Sequence, residues 1–199
     1  DMQALISRQD LDEEIEGFKE EPEATHLKLN LKGKNPDDGM NSIAYDKGYF
    51  FLRTLEETVG REKMDAFLKK YFSDHAFSNM TSDGFVAYLK KELLEPNAVT
   101  FNVEEWVYQP DVPANCAVVK SDRFEIVEQL IEDFMVDKGV DDVSVTNSWT
   151  TQEFVYFIRN LPQDIPINTI LVIDKIFDFT NSKNSHIAMV WYELSIKRN

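Results

Sequence analysis

The chain of 199 residues has one cysteine and three histidines, and 21 basic against 36 acidic side chains. Each shortage excludes something. A single cysteine, Cys116, rules out an internal disulfide and any cysteine-built zinc cluster. It leaves the compartment open, with the lack of disulfides favouring the cytoplasm. His26, His75 and His186 never fall at i, i+3 or i, i+4, the spacing that puts two ligands on one helix face, and no HExxH is present. No apolar run approaches the roughly 18 residues needed to span a bilayer. The opening "DMQALISRQD" has neither the basic start nor the apolar core of a signal peptide. A net charge of -15 repels phosphate backbones, and no basic stripe interrupts it. Nucleic-acid binding and membrane insertion are therefore not expected. The first residue is Asp1 rather than methionine, so the expectation is a fragment or a processed chain.

What remains is mostly helical pattern. Leu5, Leu11, Ile15 and Phe18 follow a helical period with an acidic, solvated face from Asp10 to Glu16, and Pro22 ends it. Leu27, Leu29 and Leu31 alternate, which suits a short extended segment. Gly33, Pro36 and Gly39 punctuate the next loop. Tyr45, Tyr49, Leu52, Leu55 and Val59 then fall on one helical face, with Gly60 as a natural stop. Further helices carry Met64 to Phe72, then Phe85 to Leu93 with Thr81 or Ser82 as cap, then Val103 to Val107. "QPDVPANC" breaks the pattern, and a domain boundary is expected there. Residues 121 to 137 form another helix, with Gly139 as its stop. Thr150 and Glu153 form a capping box. Pro166 sits in a first turn, where its missing N–H costs nothing. A last helix carries Val190, Trp191 and Leu194, residues that would still need cover at the end of the chain. Paired helices with short loops suggest a layered helical array without a clear repeat.

The stretch from Ile43 to Leu93 resembles a known family, the gluzincin-type zinc aminopeptidases of the leukotriene A4 hydrolase/aminopeptidase branch. The resemblance rests on several motifs in order: Ala44-Tyr45-Asp46-Lys47-Gly48 for (P/A)Y(E/D)KG, Leu55 to Gly60, Phe67 to Phe77, Thr81 to Phe85, and "EEWVYQPDVP" for the W-x-x-x-P-G-x-P that closes the catalytic domain. It covers residues 3 to about 110 well and the remainder more loosely. It implies a mainly α fold. Residues 1–112 would be the C-terminal helical portion of a thermolysin-like catalytic domain. Residues 113–199 would be part of an α-α superhelical, armadillo-like domain.

The same resemblance implies an enzyme that removes N-terminal residues from peptides by a zinc-activated water. Its zinc ligands and general base lie upstream of the matched region. The chain would thus begin after its own metal site, with no zinc expected on it, and end before the basic residues that hold a substrate carboxylate in the hydrolase branch. Carried over residue by residue, Tyr45 matches the tyrosine that donates a hydrogen bond to the oxyanion of the tetrahedral intermediate. Asp37 matches an aspartate lining the polar side of the substrate pocket. Met40 stands where the hydrolase branch often has a second tyrosine, which favours a plain aminopeptidase. Asp111 stands where the family has glycine, a change expected to affect only a loop.

From the residues alone, Tyr45 is a helix-start residue packing its ring, Asp37 and Asp38 are turn residues after a proline, Lys47 and Gly48 are structural, and the three histidines are ordinary loop or helix residues. The competing functional reading is a non-catalytic, acidic helical protein-interaction module. Apolar helix faces without partners would also offer self-association.

Overall fold

The computed structural model describes residues 1–136 and 142–198. Among them no residue is in a strand, and all regular structure is helical. The chain divides into two compact units, one of Ser7–Val118 and one combining Asp1–Ile6 with Val119–Asn199.

The first unit contains most of α1 (Met2–Gly17), then α2 (Ile43–Val59), α3 (Arg61–Asp74), α4 (Ser82–Leu89) and α5 (Val103–Tyr108). Gly60 ends α2 at φ +88°, a backbone region open to glycine at little cost. Thr81 caps α4, its Oγ1 accepting the Gly84 N–H at 3.1 Å. Beyond Leu89 the helix widens into a π-type turn over Lys90–Leu94. The buried side chains include Leu11, Ile43, Phe50, Leu55, Leu89 and Trp106.

The second unit is built on α6 (Asp122–Met135), α7 (Thr151–Arg159), α8 (Ile167–Phe177) and α9 (Ser185–Lys197). Its core is aromatic: Phe124 stacks on Tyr156 at 3.8 Å, and Phe157, Phe177, Phe179 and Trp191 follow in edge and tilted contacts. Phe124, Val127, Leu130, Ile131 and Phe134 of α6 are buried, and Gly139, its expected stop, lies outside the described residues. The capping box is present and does more than cap. Glu153 is almost fully buried, accepts the Thr150 N–H at 2.7 Å, and takes two hydrogen bonds from Arg123 at 2.8 and 3.0 Å. Removing the arginine strips a buried carboxylate of its counter-charge. Because Arg123 is itself about half exposed, Arg123→Ala is expected to destabilise this unit by about 2 kcal/mol, read from the urea midpoint.

Four sequence expectations change. Leu27, Leu29 and Leu31 do not enter a ladder; the Lys28 N–H donates to Val107 O at 3.0 Å, and Leu31 folds so closely over Gly39 that a Cβ there would lie 2.8 Å from its Cδ1. The buried face of α2 is Ile43, Lys47, Phe50, Phe51 and Thr54, with Leu55 and Val59, whereas Tyr45 is 79% exposed. Pro166 is the N-cap of α8 rather than a first-turn residue, and its carbonyl accepts the Thr169 and Ile170 N–H groups. Val190 and Trp191 already have their cover, being packed into the aromatic core with Leu194 against it. The large apolar side chains exposed on these two helices are Met189, Tyr192 and Ile196 on α9, and Ile167, Leu171, Val172 and Ile176 on α8.

Candidate active-site wall

The loop before α2 is pinned at three places. Asn35 Oδ1 accepts the Asp37 N–H at 3.2 Å and starts a single 3-10 turn over Pro36–Gly39. Asn41 donates from Nδ2 to Ala24 O at 3.2 Å and accepts the Ile43 N–H at 3.2 Å. The Ser42 backbone N–H donates to Glu14 at 3.1 Å, and its hydroxyl pairs with the same carboxylate. The helix then starts: the Tyr45 and Asp46 N–H groups both return to Ser42 O, at 2.9 and 3.0 Å. Burial and the neighbouring Asp10 push the Asp46 carboxyl up, while hydrogen bonds from Ser7 and Ser42 hold it back.

Tyr45 stands out from this turn, and its hydroxyl has no hydrogen-bond partner among the described residues. Its ring lines an open apolar cavity of about 650 Å³ with Ala44, Gly48, Tyr49, Leu52, Tyr71, Met80 and Phe85. That volume is in the range of small-ligand sites. The exposed stripe of α2 and the aromatic end of α3 thus face one space. Beside it, Asp83 accepts from Lys28 Nζ at 2.6 Å and from the Tyr108 hydroxyl at 2.7 Å, which ties the loop, α4 and α5 together at the rim. Lys28 holds the Asp83 carboxyl low, and Asp83 pushes the Tyr108 hydroxyl up to about 12.

Asp37 is exposed on its 3-10 turn and does not line that cavity. Its neighbour Asp38 lines a separate, more polar cavity of about 850 Å³ with Glu23, His26, Lys32 and Lys34. Met40 projects into solvent.

Lys47, two residues after Tyr45, is fully buried. Its ammonium donates to Thr25 O at 2.9 Å and Gln109 O at 2.8 Å. Burial lowers its pKa to about 8, with Asp111 acting in the opposite direction. Asp111 itself sits at φ +59°, a conformation natural to glycine, and its N–H donates to Thr25 Oγ1 at 2.9 Å. The non-glycine residue is therefore held by the same network as Lys47. Gly48 lies 4.0 Å, measured from an ideal Cβ, from Leu27 Cδ2, an ordinary van der Waals approach.

Among the described residues no group of three His, Cys, Asp or Glu side chains could hold a metal ion. His75 is instead packed against Tyr71 and Tyr88, with Nδ1 2.9 Å from Tyr71 O. These residues do not fit a zinc site. What they offer is a free phenolic donor beside an apolar surface.

Known proteins give this geometry its context. Leucine aminopeptidase 2 of Ajellomyces capsulatus is 27% identical over 98% of the chain and 33% of its own length. A leukotriene A-4 hydrolase homolog of Botryotinia fuckeliana is 24% identical, over 98% and 31% respectively. The chain thus spans about a third of the length of the curated relatives it matches. The structure of yeast LTA4 hydrolase in complex with bestatin superposes with a TM-score of 0.80 at 20% identity, covering 99% of this chain and 36% of that one. This shared fold agrees with the helical fold class expected from the sequence. The profile of the peptidase family M1 domain matches residues 8–108, about half of the chain and the part that carries Tyr45, and so the chain belongs to peptidase family M1.

Proposed function

We propose that this chain supplies one wall of the active site of an M1 aminopeptidase, with Tyr45 as the oxyanion donor. In this reading residues 1–112 belong to the catalytic domain and residues 113–199 to a following helical domain. The zinc of the family is held by residues outside this chain. The observation that carries the reading is the Tyr45 hydroxyl, exposed and unpartnered at the lip of an aromatic cavity. Attack of water on a peptide carbonyl leaves negative charge on the former carbonyl oxygen. A positioned O–H donor stabilises that charge more than it stabilises the neutral substrate, which is the condition for faster chemistry. Asp37, a free-facing carboxylate on a short turn, is proposed to orient the substrate, whose protonated N-terminus it would attract. The cavity beside Tyr45 offers apolar surface to a substrate side chain.

The isolated 199-residue chain is expected to retain no stoichiometric zinc after dialysis and to release nothing from a leucyl anilide. Metal analysis and a chromogenic assay check both. Chelator-sensitive hydrolysis by this chain alone would sink the reading, because the metal site would then lie within it.

A further inference from the structure

A solvated lysine would be the ordinary occupant of position 47, but this one is enclosed, and its two contacts are with backbone carbonyls of two different loops. Thr25 closes the 3-10 turn Pro22–Thr25, and Gln109 follows α5. The loops are joined to each other through Asp111 N–H to Thr25 Oγ1, and Thr25 Oγ1 in turn donates to Pro22 O at 2.8 Å. Lys47 therefore sits on a platform made of two linked loops. A helix turns 100° per residue, so positions 45 and 47 point roughly 200° apart, close to opposite directions. Whatever fixes the inward direction at 47 fixes the outward direction at 45. Apolar packing alone allows a helix some rotation about its axis, whereas two directional hydrogen bonds from one ammonium do not.

We propose that Lys47 is the positioning residue of Tyr45: it ties the first two turns of α2 to the Thr25 and Gln109 carbonyls and so sets where the Tyr45 hydroxyl points. The catalytic half of this statement rests on the oxyanion reading above. The mechanical half does not.

Amide hydrogen exchange on the 199-residue chain, followed by NMR, tests the mechanical half. The reporters are the Tyr45 and Asp46 N–H groups, bonded to Ser42 O, set against the Thr58 and Val59 N–H groups at the far end of the same helix. Lys47→Met keeps the volume and removes the donors. It is expected to speed exchange at Tyr45 and Asp46 by about tenfold more than at Thr58 and Val59, the order a lost hydrogen bond supplies. Leu55→Ala, a cavity in the same helix, serves as the reference and is expected to act on both ends alike. Equal acceleration at both ends by Lys47→Met would overturn the proposal, since the lysine would then be only a core filler. If Lys47→Met does not fold, Lys47→Gln, which keeps a shorter donor, is judged by the same ratio. In the zinc-loaded enzyme carrying this chain, Lys47→Met is expected to lower kcat with KM little changed. If Tyr45→Phe leaves kcat intact there, the oxyanion reading fails while the exchange ratio still decides the role of Lys47.

Discussion

On the donor role proposed for it, replacing Tyr45 by phenylalanine is expected to lower kcat of the zinc-loaded enzyme carrying this chain by roughly a hundredfold to a thousandfold, the usual effect of removing one oxyanion donor. KM should move little, because the neutral substrate carbonyl gains less from the donor than the charged intermediate does. Folding should be almost unaffected, within about 0.5 kcal/mol, the range of a surface change. The hydroxyl makes no hydrogen bond to lose among the described residues, and the ring, already exposed, is retained. This combination separates catalysis from structure. A tyrosine that merely packed at a helix start would show small effects on both rate and stability. Steady-state kinetics with a leucyl substrate, alongside thermal melts, give the answer, and an unchanged kcat rules the donor role out.

The second large effect is a rise in stability with pH, which is unusual for a protein at alkaline pH. Below pH 8 Lys47 is charged in both the folded and unfolded chain, and the folded state carries the full cost of burying the ammonium. Between its folded pKa of about 8 and its ordinary 10.5, the folded lysine has released its proton while the unfolded one still holds it. The unfolded state then binds more protons, so stability increases with pH across that window. At 1.36 kcal/mol per unit, the full gain is about 3 kcal/mol. The neutral amine keeps two N–H donors, enough for Thr25 O and Gln109 O, so the contacts survive the titration. Opposing groups limit the rise. Burial pushes the Cys116 thiol up, and Tyr108 and Tyr156 are pushed up to about 12, by Asp83 and by burial respectively. Each holds its proton longer in the folded state, so stability falls again as they titrate above about pH 9 to 10. Urea midpoints measured from pH 7 to 10.5 should therefore pass through a maximum near pH 9 to 10, and Lys47→Met should flatten the rising limb. A midpoint that falls steadily from pH 8 would contradict the burial of a charged lysine.

Much of the helical frame was legible because its signals are local. Thr81, Gly60 and the Thr150–Glu153 pair announce helix ends through chemistry that acts within one turn. The face of α2 was harder. Two stripes compete on that helix: Tyr45, Tyr49 and Leu52, which are large and apolar, and Ile43, Lys47, Phe50 and Thr54, which include a charge and a hydroxyl. Hydrophobicity alone favours the first as the core. The structure buries the second, because the ammonium finds two carbonyls and the Thr54 hydroxyl donates to Phe50 O while accepting the Ala117 N–H. The two carbonyls and Ala117 lie 22 to 63 residues away, beyond any periodicity. The signal that could have found Lys47 is its spacing: four residues after Ile43 and three and four before Phe50 and Phe51. The burial of Val190 and Trp191 was hidden for a related reason. Their cover comes from α7 and from the turn around Phe179, which the pattern of α9 by itself does not reveal.

Gly60 has a consequence beyond ending a helix. The same residue caps the end of α2 and the start of α3, so the corner between them has no spare length. One residue inserted there would rotate every side chain of α3 by about 100° about its axis. Met64 and Phe67 would swing away from the interior, and Tyr71 would leave the aromatic space it shares with Tyr45. Chains built on this corner can vary in sequence but not in register. A count of residues between Tyr45 and Tyr71 is thus a simple ruler for deciding whether a distant relative keeps the same wall.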